Sequence, residues 1–220
     1  MKKILATVLA AALCVGIGIG GTLAWLTAET GEVTNTFTVG DINIDLKEHV
    51  YTKSTNSLSE TETTTQTTYE FVPGKTLPKD PFVTVKADSE ACWLFITVNE
   101  ANNTATGLSG KIINWTVDAG VWTKLDGYEN VWYKQLNATA TDKPYNILDN
   151  KQVTVNSGVT KAMVDDINDA TKPTLTFDAA AIQSEALTKE GGAAVSAAAD
   201  ALALLPQEFL NGCIVSTSAA

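Results

Sequence analysis

The 220-residue chain contains no arginine, one histidine and three cysteines, and each scarcity removes a class of function. Nucleic acid is a poor partner for a surface without arginine, because binding it rests on Lys and Arg displacing counterions from phosphates. The single histidine, His49, precludes any two-histidine zinc motif such as His-Glu-x-x-His and leaves a Ser-His-Asp or Cys-His system to rest on one residue. We expect His49 at a strand end on the surface, with no ligand role. Asp165, Asp166, Asn168 and Asp169 cluster as calcium ligands do, but their spacing lacks the alternate-residue pattern and the turn glycine of such a loop. They are expected on a solvated helix face. Acids abound, yet nothing singles out a catalytic pair. No catalytic residue, metal ligand or cofactor site is assigned, and the chain is read as a non-enzyme. Beyond the N-terminus, no apolar run approaches spanning length.

What is present begins with Lys2 and Lys3, followed by an uncharged apolar run from Ile4 to Ile19. That is the order of a secretory signal, a positive n-region and then an h-region. Gly20 and Gly21 break the run, and Thr22 and Ala24 supply small residues at −3 and −1 of a cut that makes Trp25 the first mature residue. The alternative is an uncleaved anchor, since the stretch to Leu26 is close to the ~20 residues that span a bilayer. The glycine break and the small-residue pair favour cleavage. Cys14 leaves with the signal, and Cys92 and Cys213 remain either as one disulfide or as two buried thiols. After cleavage, thirteen lysines face twenty-five acids, a net charge near −12 that suits a dispersed extracellular protein. The division expected is a signal peptide over 1–24, an all-β domain over 25–185 and a C-terminal helical tail over 186–220.

Short alternating runs separated by turn residues predict strands through most of the mature chain. Phe37 and Val39, then Ile42, Ile44 and Leu46, read as one strand bent at Gly40. The Thr- and Ser-rich stretch from Thr52 to Thr68 is expected as a mobile loop or a long polar hairpin. Phe82 to Lys86 alternates, while Cys92 to Val98 is the most apolar run and is placed as a central strand buried on both faces. Asp126-Gly127 between aromatic, β-branched runs predicts a hairpin. Trp115 and Val117 lead into the first of these runs, and further strands are expected at Tyr145 to Leu148, Gln152 to Val155 and Leu175 to Ile182. A short helix is expected over Lys161 to Ala170, with Ala162, Val164 and Ile167 inward. Another is expected over Ala193 to Leu205, with Val195, Ala199, Leu202 and Leu205 at helical spacing and Pro206 as the stop. The class is therefore all-β, with one helical insertion and a C-terminal helix. Trp93, Trp122 and Trp132 are assigned to strands and core rather than to a carbohydrate platform.

Gly21-Thr22-Leu23-Ala24-Trp25-Leu26-Thr27, followed by Asn35-Thr36-Phe37-Thr38-Val39-Gly40 and Ile42-Asn43-Ile44-Asp45-Leu46, resembles the export signal and first strand of camelysin/TasA-type proteins. The resemblance extends to Val72-Pro73-Gly74-Lys75, Trp122 to Gly127, Asp149 to Val155 and Ala180-Ala181-Ile182-Gln183. It implies a jelly-roll β-sandwich, processing by a dedicated SipW-type signal peptidase, and a secreted role at the cell surface or in a biofilm matrix as a fibre subunit. Membrane contact is then limited to the uncleaved precursor. Two other classes stay open: a secreted camelysin-like metallopeptidase, and a carbohydrate-binding surface module. The segment that cleavage frees, Trp25 to Asn35, carries Trp25, Leu26 and Val33 as apolar residues among Thr, Glu and Gly. It is expected to be extended, and to add to a neighbouring subunit as a strand in self-association into filaments. The other possibility is that it folds back on its own domain.

Overall fold

The computed structural model describes residues 27–31, 34–35, 42–65, 69, 72–168, 170–185, 187–188 and 192–216. The expected signal, its cleavage site and the first half of the opening strand lie outside the described residues. Within them the chain is all-β with a few short helices. Thirteen strands form: β1 (Thr27–Gly31), β2 (Thr34–Asn35), β3 (Ile44–Thr52), β4 (Ser57–Thr63), β5 (Thr76–Pro78), β6 (Phe82–Val85), β7 (Cys92–Ala101), β8 (Ile113–Asn114), β9 (Thr123–Lys124), β10 (Val131–Leu136), β11 (Lys143–Asn146), β12 (Gln152–Val155) and β13 (Thr174–Gln183). The helices are α1 (Lys161–Asp165), α2 (Ala198–Leu202) and α3 (Gln207–Asn211).

A six-stranded sheet runs β2-β1-β13-β7-β10-β9 and a four-stranded sheet β11-β6-β3-β4, with a three-stranded sheet β5-β12-β8 beside them. Every pairing among them is antiparallel. The period of two along β7 sorts its side chains onto two faces. Cys92, Leu94, Ile96 and Val98 join Ile44, Val83 and Val85 of the four-stranded sheet in one core, with Leu77, Val153 and Val155 from the third sheet. Trp93 and Phe95 point the other way, into a second core with Ala180, Ile182 and Val131 on the same sheet and Leu187, Val195, Leu202, Leu205 and Phe209 from the C-terminal segment. The expected two-sided burial of Cys92 to Val98 is therefore realised in an antiparallel sheet, because the C-terminal segment supplies a third layer. Small residues of β13 face large ones of β7: Ala179 opposite Ile96, Ala180 opposite Phe95, Ala181 opposite Leu94. That alternation fills both cores without overpacking.

Several local expectations are corrected. Of the two forms expected for the polar stretch from Thr52, the hairpin is the one its described part takes, as β4 pairs with β3 across a turn at residues 53–56, where Asn56 takes φ 49°. The Asp126-Gly127 hairpin exists but is wider than a two-residue turn, since Lys124 pairs with Trp132. The tight element inside it runs from Leu125 to Tyr128, whose N–H reaches the Leu125 carbonyl, with Gly127 at φ 81° in the position where a type II turn needs a glycine. The strand expected from Tyr145 to Leu148 is Lys143–Asn146 instead. Trp115 lies just past β8, and Val117 joins only an isolated bridge to Leu148.

The helices are shorter than their patterns. In α1, Met163 and Val164 pack on the inner core while Ala162 is exposed. The C-terminal helix begins at Ala198 and not near Ala193. Val195 donates its N–H to Leu187 and Ala194 bridges Thr188, which holds that stretch extended. Ala197, the residue before the helix, has no side chain to cap it, and Ala199 is exposed. The expected stop at Pro206 is also corrected: the helix ends at Leu202, capped at Ala203, and Pro206 instead opens α3, where Glu208 in the first turn complements the helix dipole and Phe209 is buried.

Candidate functional site

The six-stranded sheet presents the feature with the clearest assembly chemistry. Ala179, Ala180, Ala181 and Ile182 of β13 are fully buried, so β13 is a core strand in composition. On one side it pairs along its whole length with β7. On the other it is covered over Ala179–Ile182 by β1, with Thr27 opposite Ile182 and Thr30 opposite Ala179. Unpaired, that edge would be a row of free N–H and C=O groups beside an apolar surface, a template for another strand. The far edges are less receptive. β9 has two residues, and β4 is exposed, with Glu60 and Glu62 in it.

Of the residues assigned to processing and polymerisation, Thr22, Ala24, Trp25, Leu26 and Val33 all lie outside the described residues. Of the freed segment, β1 and β2 are described, and β1 pairs with β13 of its own domain and with β2.

A second arrangement was not anticipated from sequence. In β3, Glu48 and His49 stand beside Lys79 and Asp80 of the β5–β6 connection. Asp80 is 3% exposed, and its two carboxylate oxygens take the His49 backbone N–H at 3.1 Å and the His49 Nδ1 at 2.7 Å. His49 therefore sits half-buried within a strand, its ring 5.3 Å from that of Phe82, and not free at a strand end. Lys79 Nζ meets Glu48 Oε2 at 2.6 Å and lies 5.3 Å from the ring centroids of both Tyr69 and Phe177. The Tyr69 hydroxyl is buried with no hydrogen-bond partner among the described residues. Burial, then the charges of Glu48 and Asp80, push its ionisation far above the ordinary tyrosine range, so it stays a neutral donor. The sequence signal for this cluster is faint: four charged residues in two adjacent pairs, next to Pro81.

Asp80–His49 has the form of an orienting carboxylate with its base. Among the described residues no serine, threonine or cysteine is hydrogen-bonded to that ring, and no three His, Cys, Asp or Glu side chains converge as metal ligands would. Asp165 pairs with Lys161 on the exposed face of α1, and the Asn168 side chain caps its own turn by accepting from the Ala170 N–H. Asp169 lies outside the described residues. Trp93 and Trp122 are buried, and Trp132 packs edge-on against Trp115 under the Lys124 ammonium. Cys92 and Cys213 are both free thiols, one in the inner core and one against the outer core.

No helix among the described residues is long and apolar enough to cross a membrane. The chain matches no protein-family model, no curated protein and no solved structure.

Proposed function

We propose that this chain is an exported structural subunit of the cell surface or extracellular matrix that assembles into filaments by exchange of its N-terminal strand. The observation that carries the reading is the seat of β1 on β13, held by main-chain pairing over Thr27–Thr30 at the N-terminal extremity of the domain. Such a strand is separable from the sandwich. Its place on β13 can be filled by the same segment of a second copy, with backbone hydrogen bonds for affinity and alternate side chains for register. The folded-back strand is then the resting monomer. Because donor and acceptor are different surfaces, the contact does not close and repeats head to tail. Release of Trp25 by cleavage after Ala24 by a SipW-type signal peptidase frees the donor, and the precursor stays tethered and monomeric.

The test is electron microscopy and light scattering of protein starting at Trp25, against protein lacking residues 25–33. Filaments are expected from the first and a folded monomer from the second. Equal assembly by the truncated protein would refute strand exchange, and a mature N-terminus several residues from Trp25 in intact-mass measurement would refute the processing step.

A further inference from the structure

The pair formed by Lys79 and Glu48 differs in its surroundings from the pairs that Lys47, Lys86, Lys111 and Lys161 form. Both side chains are 12% exposed, against 29% for Lys47, 34% for Lys86, 48% for Lys111 and 85% for Lys161 in their pairs. The Nζ–Oε2 distance is 2.6 Å, and the Tyr69 and Phe177 rings flank the nitrogen. We propose that Lys79 and Glu48 condense into an intramolecular isopeptide bond, an amide between Nζ and Cδ that ties β3 to the β5–β6 connection.

Three features support the chemistry. The first is contact: with Nζ and Oε2 at 2.6 Å, the proton that must leave the ammonium has its acceptor beside it. Return of one proton from the ammonium to the carboxylate then yields a neutral amine beside a neutral carboxylic acid, the reactive combination. The second feature is Tyr69. Its buried hydroxyl has no hydrogen-bond partner among the described residues, feels the charges of Glu48 and Asp80, and belongs to a ring 5.3 Å from Lys79 Nζ, so it is a donor near the reacting pair as negative charge develops on the Glu48 oxygen. The third is selectivity: Asp80, the sequence neighbour of Lys79, has both oxygens engaged by His49, which leaves Glu48 as the acyl group.

In the step itself, the lone pair of neutral Nζ forms the bond to Cδ and one amine proton passes to the departing oxygen. The Cδ–Oε bond breaks and that oxygen leaves as water. One N–H remains on the amide, nothing is oxidised or reduced, and no activating co-reactant takes part. The inference does not depend on the filament reading, since the bond lies within one domain.

Trypsin digestion of the purified full-length mature protein with tandem mass spectrometry tests it. The expected product is residues 48–53 joined to residues 76–86, lighter by one water than the two together, with no cut after Lys79. The Lys79→Ala variant should release residues 48–53 alone, and Tyr69→Phe should lower the joined fraction at equal incubation. Recovery of free 48–53 and of 76–79 in full yield from folded wild-type protein overturns the proposal. That result stands on the wild-type chain whether or not either variant folds.

Discussion

The two faces of the six-stranded sheet are built from the same strands by different means. The inner face of β7 and β13 meets a second sheet whose own strands are locked by hydrogen-bonded pairing, with Ile44 opposite Val85 and Leu46 opposite Val83. The outer face is equally apolar, with Trp93, Phe95, Ala180 and Ile182 all buried, but its cover is a segment of two five-residue helices and extended chain. Helices that short do not hold themselves in water. The cover is therefore held by the face it covers and by a polar clamp at its end. There the Asn130 side chain donates to Asn99 Oδ1 and to the Gly212 carbonyl and accepts the Ile214 N–H, at 2.5 to 2.6 Å. A main-chain bond from Glu129 to the Ile214 carbonyl and a Tyr128–Val215 bridge complete it. A sheet face covered by another sheet belongs to the global fold, whereas one covered by a clamped segment can open by itself.

The sharpest way to break the contrast is a cavity on each face. Leu94→Ala removes a fully buried inner side chain and should lower global stability by about 2–5 kcal/mol in urea unfolding. Leu202→Ala, equally buried on the outer side, should raise amide exchange in residues 195–215 while the sandwich keeps its unfolding midpoint more nearly than in Leu94→Ala. Equal losses in both variants would mean that the two faces unfold as one unit.

Asn130→Ala strips the clamp and leaves the Gly212 carbonyl and the Ile214 N–H without that partner. A loss of about 0.5–1.5 kcal/mol per hydrogen bond removed is expected, read as faster exchange of the Ile214 amide and increased dye binding to the uncovered Trp93 and Phe95. Unchanged exchange at Ile214 would remove the clamp from the account.

Acid should act first at the inner side. Glu100, at the end of β7, is raised by burial, but hydrogen bonds from Lys111, Asn103 and Trp115 outweigh that and hold its carboxyl below the usual range. The sign follows from linkage: a depressed carboxylate stabilises the fold above its unfolded pKa of about 4.3, and that contribution is lost as pH falls through the lower folded value. Glu100→Gln should therefore flatten the fall of the urea midpoint below about pH 4.3. Trp115, which packs on the inner core and donates to Glu100, should report the change in fluorescence.

The smallest effect is on reactivity rather than stability. Burial pushes the Cys92 thiol up to about 12; burial and then the Asp178 charge push Cys213 to about 11. Cys213 should be modified by a neutral thiol reagent through opening of the outer cover, and Cys92 only on global unfolding. Equal labelling rates in native protein would contradict the difference between the faces.

Much of the strand pattern was legible because its cause is local. β12 falls on Gln152–Val155 as expected, and β7 and β13 extend their predicted runs by a few residues, since alternation of β-branched and aromatic residues reports a pleated, buried surface directly. The C-terminal cover was less legible. Val195, Leu202 and Leu205 have helical spacing and all three are buried, but Val195 reaches the outer face from an extended stretch. The spacing recorded which residues face inward and not the backbone that brings them there. Asn130 gave no signal at all, for its partners Gly212 and Ile214 stand more than eighty positions away. The Glu48–Lys79 and His49–Asp80 pairs, each 31 residues apart, were likewise hidden in two ordinary charged dipeptides.

The sequence by itself determined the all-β class, the central place of Cys92 to Val98 and the turn at Asp126-Gly127, because alternation, apolar runs and a glycine at positive φ act over a few residues. Tertiary structure alone decided which edge of the sheet β1 covers, that β7 acquires its second buried face from the C-terminal segment, and that Lys79, paired with Glu48, lies near the Tyr69 and Phe177 rings. Those outcomes depend on strand order and register, which are set by the joint packing of distant segments and leave no mark in any short stretch of the chain.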